Sequence, residues 1–173
     1  MTNIFFISDT HFSHDNICKF VDNEGNKLRP FENANEMDEV LIKNWNNVVN
    51  KNDKVYHLGD VAIPRRGLEV LNKLNGDKVL IRGNHDIFKL KDYLKHFRDI
   101  RGAFVMDNII FTHIPVHPDS KARFKANVHG HLHSNKVRFD NGKGEIDNFY
   151  INVSVEQINF TPIHYDELKK LIK

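Results

Sequence analysis

Val79-Leu80-Ile81-Arg82-Gly83-Asn84-His85-Asp86 is the stretch on which the reading of this chain turns. An apolar run suited to a buried parallel strand stops at a glycine, and three polar residues follow. Gly83 lets the backbone turn sharply at the strand's carboxyl end, where open α/β sheets place their chemistry. Asn84, His85 and Asp86 then offer a carbonyl oxygen, a titratable imidazole and a carboxylate within one turn.

Working outward, other apolar runs end in the same way. Ile4-Phe5-Phe6-Ile7 leads into Asp9 and His11, and a strand over 54–58 delivers Gly59-Asp60. The run Ile109-Ile110-Phe111 ends at His113, and a short strand at 127–129 runs into Gly130-His131-Leu132-His133. Between the first strands, Met37, Val40, Leu41, Trp45 and Val48 recur at helical spacing, which predicts an amphipathic helix over 35–50 capped by Asn33 or Asn35. Trp45 is a packing residue of that helix. A helix over 67–74 should end at Asn75-Gly76, with Gly76 in the left-handed cap. Shorter helices are expected near 15–21 and 87–96, and a closing helix over 164–173.

Strand, helix and strand in alternation build a parallel sheet with right-handed crossovers. The second half reads as more antiparallel. Asp107-Asn108 suits a two-residue hairpin turn between 102–106 and 109–112. Asn141-Gly142-Lys143-Gly144 suggests another hairpin, between 137–140 and 146–153. Asp22-Asn23-Glu24-Gly25-Asn26 is a turn-rich surface group. Residues 12–33 and 114–126 read as loop excursions. No repeat or linker divides the chain, so a single domain over 1–173 is expected, long enough to bury roughly 70% of its unfolded surface.

Charge narrows the function. With 25 basic and 23 acidic residues the net charge is +2, and no basic run occurs, which disfavours long nucleic acid and anionic membrane as partners. No segment approaches the roughly 20 apolar residues of a membrane span, and no signal peptide is evident. Cys18 is the only cysteine, so thiolate metal sites and internal disulfides are excluded, and a cytoplasmic setting is expected. The 11 histidines are the unusual entry. The groups at the strand ends are all oxygen or imidazole donors, which suit Mn²⁺, Fe, Zn²⁺ or Ni²⁺. They exceed what one tetrahedral ion needs, and two ions sharing a bridging carboxylate use them better. Such a pair can position a phosphoryl group and activate water for in-line attack.

Asp9-Thr10-His11, Gly59-Asp60, Gly83-Asn84-His85-Asp86, His113 and Gly130-His131-Leu132-His133, in this order, resemble the calcineurin-like metallophosphoesterases. The chain looks like a small single-domain member of bacterial or phage type. The resemblance implies an α/β fold of two facing mixed β-sheets, a β-sandwich, flanked by helices. It implies two divalent metal ions, Mn²⁺ foremost, with Asp9, His11 and His133 on the first, Asn84, His113 and His131 on the second, and Asp60 between them. His85 would be the acid that protonates the leaving oxygen, with Asp86 orienting its ring. The implied activity is hydrolysis of a phosphodiester, or less favourably a phosphomonoester, in a small nucleotide-type substrate by a hydroxide bridging the two ions. One departure is that Val61-Ala62-Ile63 follows Gly59-Asp60, where many relatives carry another acid.

Other residues divide between roles. His57 and His129 precede motif glycines and suit buried supporting positions. His14 is either a substrate contact or a plain surface residue. Arg65 (with Arg66), His117 and Arg123 lie in loops after motif strands and are candidate substrate contacts, against the commoner role of solvated charge. The competing functional reading is a catalytically weak scaffold that uses this fold to bind proteins; the intact motif set argues against it. A barrel amidohydrolase typically needs about 250 residues, and a zinc deaminase needs a Cys pair that is missing.

Overall fold

The computed structural model describes residues 2–22 and 24–173. Four parallel strands, β1 (Ile4–Ile7), β2 (Lys54–His57), β3 (Asp77–Ile81) and β4 (Asp99–Arg101), form a sheet in the order β4-β3-β2-β1. β9 (Ile163–His164) closes its other edge, antiparallel to β1. The second sheet has the order β5-β6-β7-β8, from β5 (Phe104–Met106), β6 (Ile109–Phe111), β7 (Ala126–His129) and β8 (Tyr150–Asn152). Both sheets are mixed, they face one another and helices flank them, the α/β sandwich that the sequence reading expected.

Alternation along β1 shows how the layers assemble. Phe6 points toward the second sheet, packing with Tyr56, Val79 and Ile81 against Ile109, Phe111, Val128 and Ile151. Its ring stacks on Phe111 at 4.5 Å and Tyr56 at 5.5 Å. Phe5 and Ile7 point the other way, onto Met37, Leu41 and Trp45 of helix α1 (Ala34–Val48) and onto Leu68 and Leu71. A sheet covered on both faces needs continuous apolar strands, as the sequence of β1 and β3 supplies.

Local chemistry explains most element ends. Asn33 caps α1, its side chain accepting the Glu36 N–H at 3.0 Å, and the Trp45 indole N–H donates to the Asn75 carbonyl at 2.9 Å. Asp107 and Asn108 both take positive φ (50° and 63°), the turn that joins antiparallel β5 and β6. Gly76 is left-handed at φ 89°. Cys18 is a buried free thiol.

Several expectations change. The segments expected as helices near 15–21 and 67–74 are 3₁₀ helices, Asp15–Lys19 and Arg65–Lys73. The 87–96 stretch holds only a single turn, α2 (Leu90–Tyr93), and the closing helix α3 is shorter, Tyr165–Lys170. The hairpin expected around 141–144 is short: Phe139 N–H donates to Glu145 O and Asp147 N–H to Val137 O, each at 3.0 Å, and the pairing ends before β8. A lone bridge joins Arg138 to Ile146, while β8 pairs in parallel with β7, because Ile151 and Val153 are drawn into the core between the sheets. The second sheet is therefore mostly parallel beyond its one hairpin. Strands β4 and β9 were not legible, since Asp99, Arg101 and His164 break the apolar pattern. Of the turn group at 22–26, Asn23 lies outside the described residues; Asp22 accepts the N–H groups of Glu24 and Asn26, each at 2.9 Å.

His57 ends β2 fully buried, its Nε2 2.9 Å from the Thr10 hydroxyl and its Nδ1 accepting the Gly59 N–H. Burial lowers its pKa from the ordinary 6.5 to about 3. The unfolded chain therefore binds a proton that the folded one refuses between those values. The stability this position confers is complete above pH 6.5 and falls by up to about 1.4 kcal/mol per pH unit below it. Urea titrations from pH 7 to pH 5 should show this loss, and His57→Gln should flatten the slope.

Candidate metal centre

The register Ile7–His57–Leu80 aligns the carboxyl ends of β1, β2 and β3. Their next residues are therefore delivered side by side. The two sheets also meet at this edge, where Ser8 bridges to Ser154 and takes the Val153 carbonyl at 3.0 Å. Beyond the strand ends, His11 N–H donates to Asp60 O and Phe12 N–H to Val61 O, so the first two loops are laced together.

Two groups of candidate ligands result: Asp9, His11 and His133; and Asp60, His113 and His131. Within each, ligand atoms lie within 4.8 Å of one another. Asn84 joins the second group, its Oδ1 2.8 Å from His113 Nε2 and 2.9 Å from His131 Nδ1. Asp60 connects the two groups. Its Oδ2 lies 3.4 Å from His113 Nε2 and 3.8 Å from His11 Nε2.

Each carboxylate is held by one oxygen and turned inward by the other. Asp9 Oδ2 accepts the His131 N–H and the Ser154 hydroxyl, both at 2.9 Å, which leaves Oδ1 buried without a hydrogen-bond partner. Asp60 Oδ1 accepts the His85 N–H at 2.8 Å. The imidazoles are oriented likewise. His113 Nδ1 is 2.7 Å from the Leu58 carbonyl, which holds a proton there and turns Nε2 toward Asn84 and Asp60. Both ring nitrogens of His11 are buried and unpartnered. Buried polar groups are ordinarily paired, so the orphan oxygen of Asp9 and nitrogens of His11 mark a demand that divalent cations would meet. The donor set fits the group.

Electrostatics point the same way. Burial raises the Asp9 carboxyl above its ordinary range, and the opposing charges of His113 and His133 do not reverse the rise. Burial also works to raise Asp60, but the hydrogen bond and charge of His113 and the His85 N–H outweigh it and hold Asp60 at about 2. Burial drives His11 well below the usual imidazole value, leaving it neutral and fit to ligate.

Backbone strain is concentrated here. Asp9, His11, Asp60, His131 and His133 all have φ between 48° and 68°, a left-handed conformation costing of order 1–3 kcal/mol each for residues with side chains. Space is also minimal. Gly83 serves by its lack of a side chain: a Cβ there would fall 2.3 Å from Asp60 Oδ1. At Gly130 a Cβ would meet Ser8 Oγ at 2.0 Å and Asp9 Oδ2 at 2.4 Å.

The remaining sequence-predicted residues separate clearly. His85 is exposed at the mouth, its ring 5.8 Å from that of His11. Asp86 does not orient that ring. Its buried carboxylate accepts the N–H groups of Asp60, Val61 and Gly83 at 2.8–3.0 Å, because the turns at 59–61 and 83 leave those peptide donors without other partners. His14 does reach the cluster, its ring 5.8 Å from His11. Arg65 instead pairs with Asp92 at 2.6 Å and lies over Phe88. His117 caps the 3₁₀ helix Pro118–Arg123, and Arg123 stands exposed at its end. Among the described residues, no hydrogen bond or ion pair ties Arg65, His117 or Arg123 to the cluster. His129 is buried with Nδ1 on the Gly130 carbonyl. It borders a cavity of about 810 Å³ between β8 and the C-terminal segment, which none of the candidate ligands lines.

Arg29 and Glu156 were missed by sequence reasoning. Arg29 is completely buried and donates to the carbonyls of Asp9 (2.6 Å) and Thr10 (2.9 Å) and to Glu156 Oε1 (2.8 Å). The same Glu156 oxygen lies 3.0 Å from His133 Nδ1, which orients that imidazole. Glu156 was detectable in principle, since Val153-Ser154-Val155-Glu156 has the same form as the other strand ends.

No family model matches the chain. The protein MJ1445 of Methanocaldococcus jannaschii, uncharacterized, is 41% identical over 183 aligned residues, covering 100% of this chain and 93% of that protein. A protein of unknown function from Aquifex aeolicus, AQ665, superposes with a TM-score of 0.71 at 28% identity, over 99% of this chain and 100% of that one. The gene 66 protein of Mycobacterium phage L5 is 32% identical over 91 residues, 50% of this chain and 41% of that protein.

Mn²⁺ added to chelator-stripped protein at a hundredfold excess over its Kd should raise stability by about 2.7 kcal/mol. Gly130→Ala should blunt that gain by displacing Asp9; thermal denaturation with and without metal measures both. With 41% identity across its whole length, the chain belongs to one family with the MJ1445 protein of M. jannaschii.

Proposed function

We propose that the protein is a metal-dependent phosphoesterase acting on a small nucleotide-type phosphodiester. The observation that carries this reading is the position of Asp60 Oδ2, shared between two groups of inward-facing donors. Asp9, His11 and His133 would hold one divalent ion, Asn84, His113 and His131 the other, with Asp60 touching both. Mn²⁺ suits these donors, as do Fe, Zn²⁺ and Ni²⁺. Such ions supply Lewis-acid polarisation of a phosphoryl group and a nucleophilic water at neutral pH.

The chain's own residues supply the rest. Asp60 and Asp9 are locked by their outer oxygens, so the inner ones do not reorganise during reaction. His85, anchored through its peptide N–H to Asp60, presents an imidazole at the mouth, where it can hand a proton to a departing alkoxide. A diester is favoured over a monoester on charge. Arg29, the arginine packed under the cluster, is neutralised by Glu156 and so does not serve the second negative charge of a monoester.

Chelator-stripped protein tested with a metal series on diester, monoester and nucleotide substrates provides the test. Diester hydrolysis restored by Mn²⁺ is expected; no hydrolysis with any metal would sink the proposal and favour a binding scaffold. Asp60→Asn should lower turnover at least about 100-fold, since even partners behind the ligands cost 10–100-fold. His85→Ala should cost about 100-fold or more on alkyl leaving groups and far less on p-nitrophenolate, which departs without a proton. Equal losses on both would remove His85 from the acid role.

A further inference from the structure

Beside the cluster lies a cavity of about 600 Å³ that ends on His131 and His133. Phe20, Val21, Leu28 and Leu132 supply its apolar surface, and Asp22 and Glu24 stand on its rim. Among the described residues no lysine or arginine lines it, and neither Asn84 nor His85 does. Phe20 is half exposed, although it is a large apolar residue in a chain with an ample core. Its ring makes one aromatic contact, edge-on to His14 at 6.4 Å, and His14 in turn sits 5.8 Å from the candidate ligand His11. Phe20 thus joins the cavity wall to the candidate ligand cluster through a single imidazole.

We propose that this cavity binds the ester arm of the substrate that does not depart, and that it selects an uncharged ring system, of which a nucleoside is the fitting class, by stacking on Phe20. This assignment rests on the phosphoesterase reading. The geometry fixes which arm is concerned, because His85, the proton donor for the leaving oxygen, does not line the cavity. Chemistry fixes the class. The apolar walls accept a flat ring, while the rim carboxylates of Asp22 and Glu24 repel a further phosphate and accept hydrogen bonds from hydroxyl or amino groups. A polyphosphate or an oligonucleotide chain meets the wrong charge there.

The test compares two diesters with the same leaving group, thymidine 5′-(p-nitrophenyl phosphate) and methyl p-nitrophenyl phosphate, on the Mn²⁺-loaded full chain. The wild type should favour the nucleoside ester. Because stacking a base on an aromatic ring is worth about tenfold or more in affinity, Phe20→Ala should cut the ratio of the two kcat/KM values by about tenfold, through KM. Phe20→Trp should keep it. Phe20 is half exposed, so neither change disturbs the core. An unchanged ratio with both rates lowered would show that Phe20 only steadies His14 and His11, and would overturn the pocket while leaving the phosphoesterase reading intact. Failure of the wild type to hydrolyse either ester would overturn that reading and the pocket with it.

Discussion

The Asp60 carboxylate is the constraint on which the rest depends. One oxygen is fixed by the His85 peptide, and the other stands between His11 and His113, which come from opposite sheets. A carboxylate this deeply buried stays ionised only where favourable partners exceed the desolvation penalty. Here they do, and Asp60 is the most acidic group of the cluster while Asp9 nearby is not. The fold can be understood as the apparatus that brings those partners to one point. Two sheets face each other across Phe6 and Phe111, and their parallel strands end at the same edge.

That arrangement works against local stability. Left-handed backbone at five candidate ligand positions, unpartnered atoms on Asp9 and His11, and a buried Arg29–Glu156 pair are all costly features. They persist because the strands below are packed on both faces and leave the loops no alternative path. The clash distances at Gly83 and Gly130 show how little slack remains. Breaking the Arg29–Glu156 pair by removing one partner would leave an uncompensated buried charge beneath His133, so the pair reads as a positioning device for that imidazole more than a source of stability.

Much of this was legible in the sequence because it follows from short-range rules. Apolar runs ending in Asp, Asn or His announced the strand ends, and the spacing of Met37, Leu41 and Trp45 announced α1. The residues brought together in space are those that the motif order named. What was not legible depends on long-range partners. Asp86 looks like a partner for the adjacent His85, yet the peptide groups of Asp60 and Val61, distant in sequence, claim it. Arg29 sits in an irregular stretch with nothing local to show that it is buried, and Glu156 is understood only once Arg29 and His133 are seen beside it. The parallel course of β8 likewise depends on β7, whereas the glycines at 142 and 144 announced only the short antiparallel turn before it.

Arg29 has a last consequence. It bolts the far end of the 12–33 excursion to the carbonyls of Asp9 and Thr10, while Ile17 and Cys18 are buried at the near end. What looks like a meandering loop is thus a span clamped at both abutments, with Phe20 and Val21 on the arch between them. The two ends of the segment are thus held by interactions that do not involve the residues on the arch, which leaves the arch free to vary in length and composition.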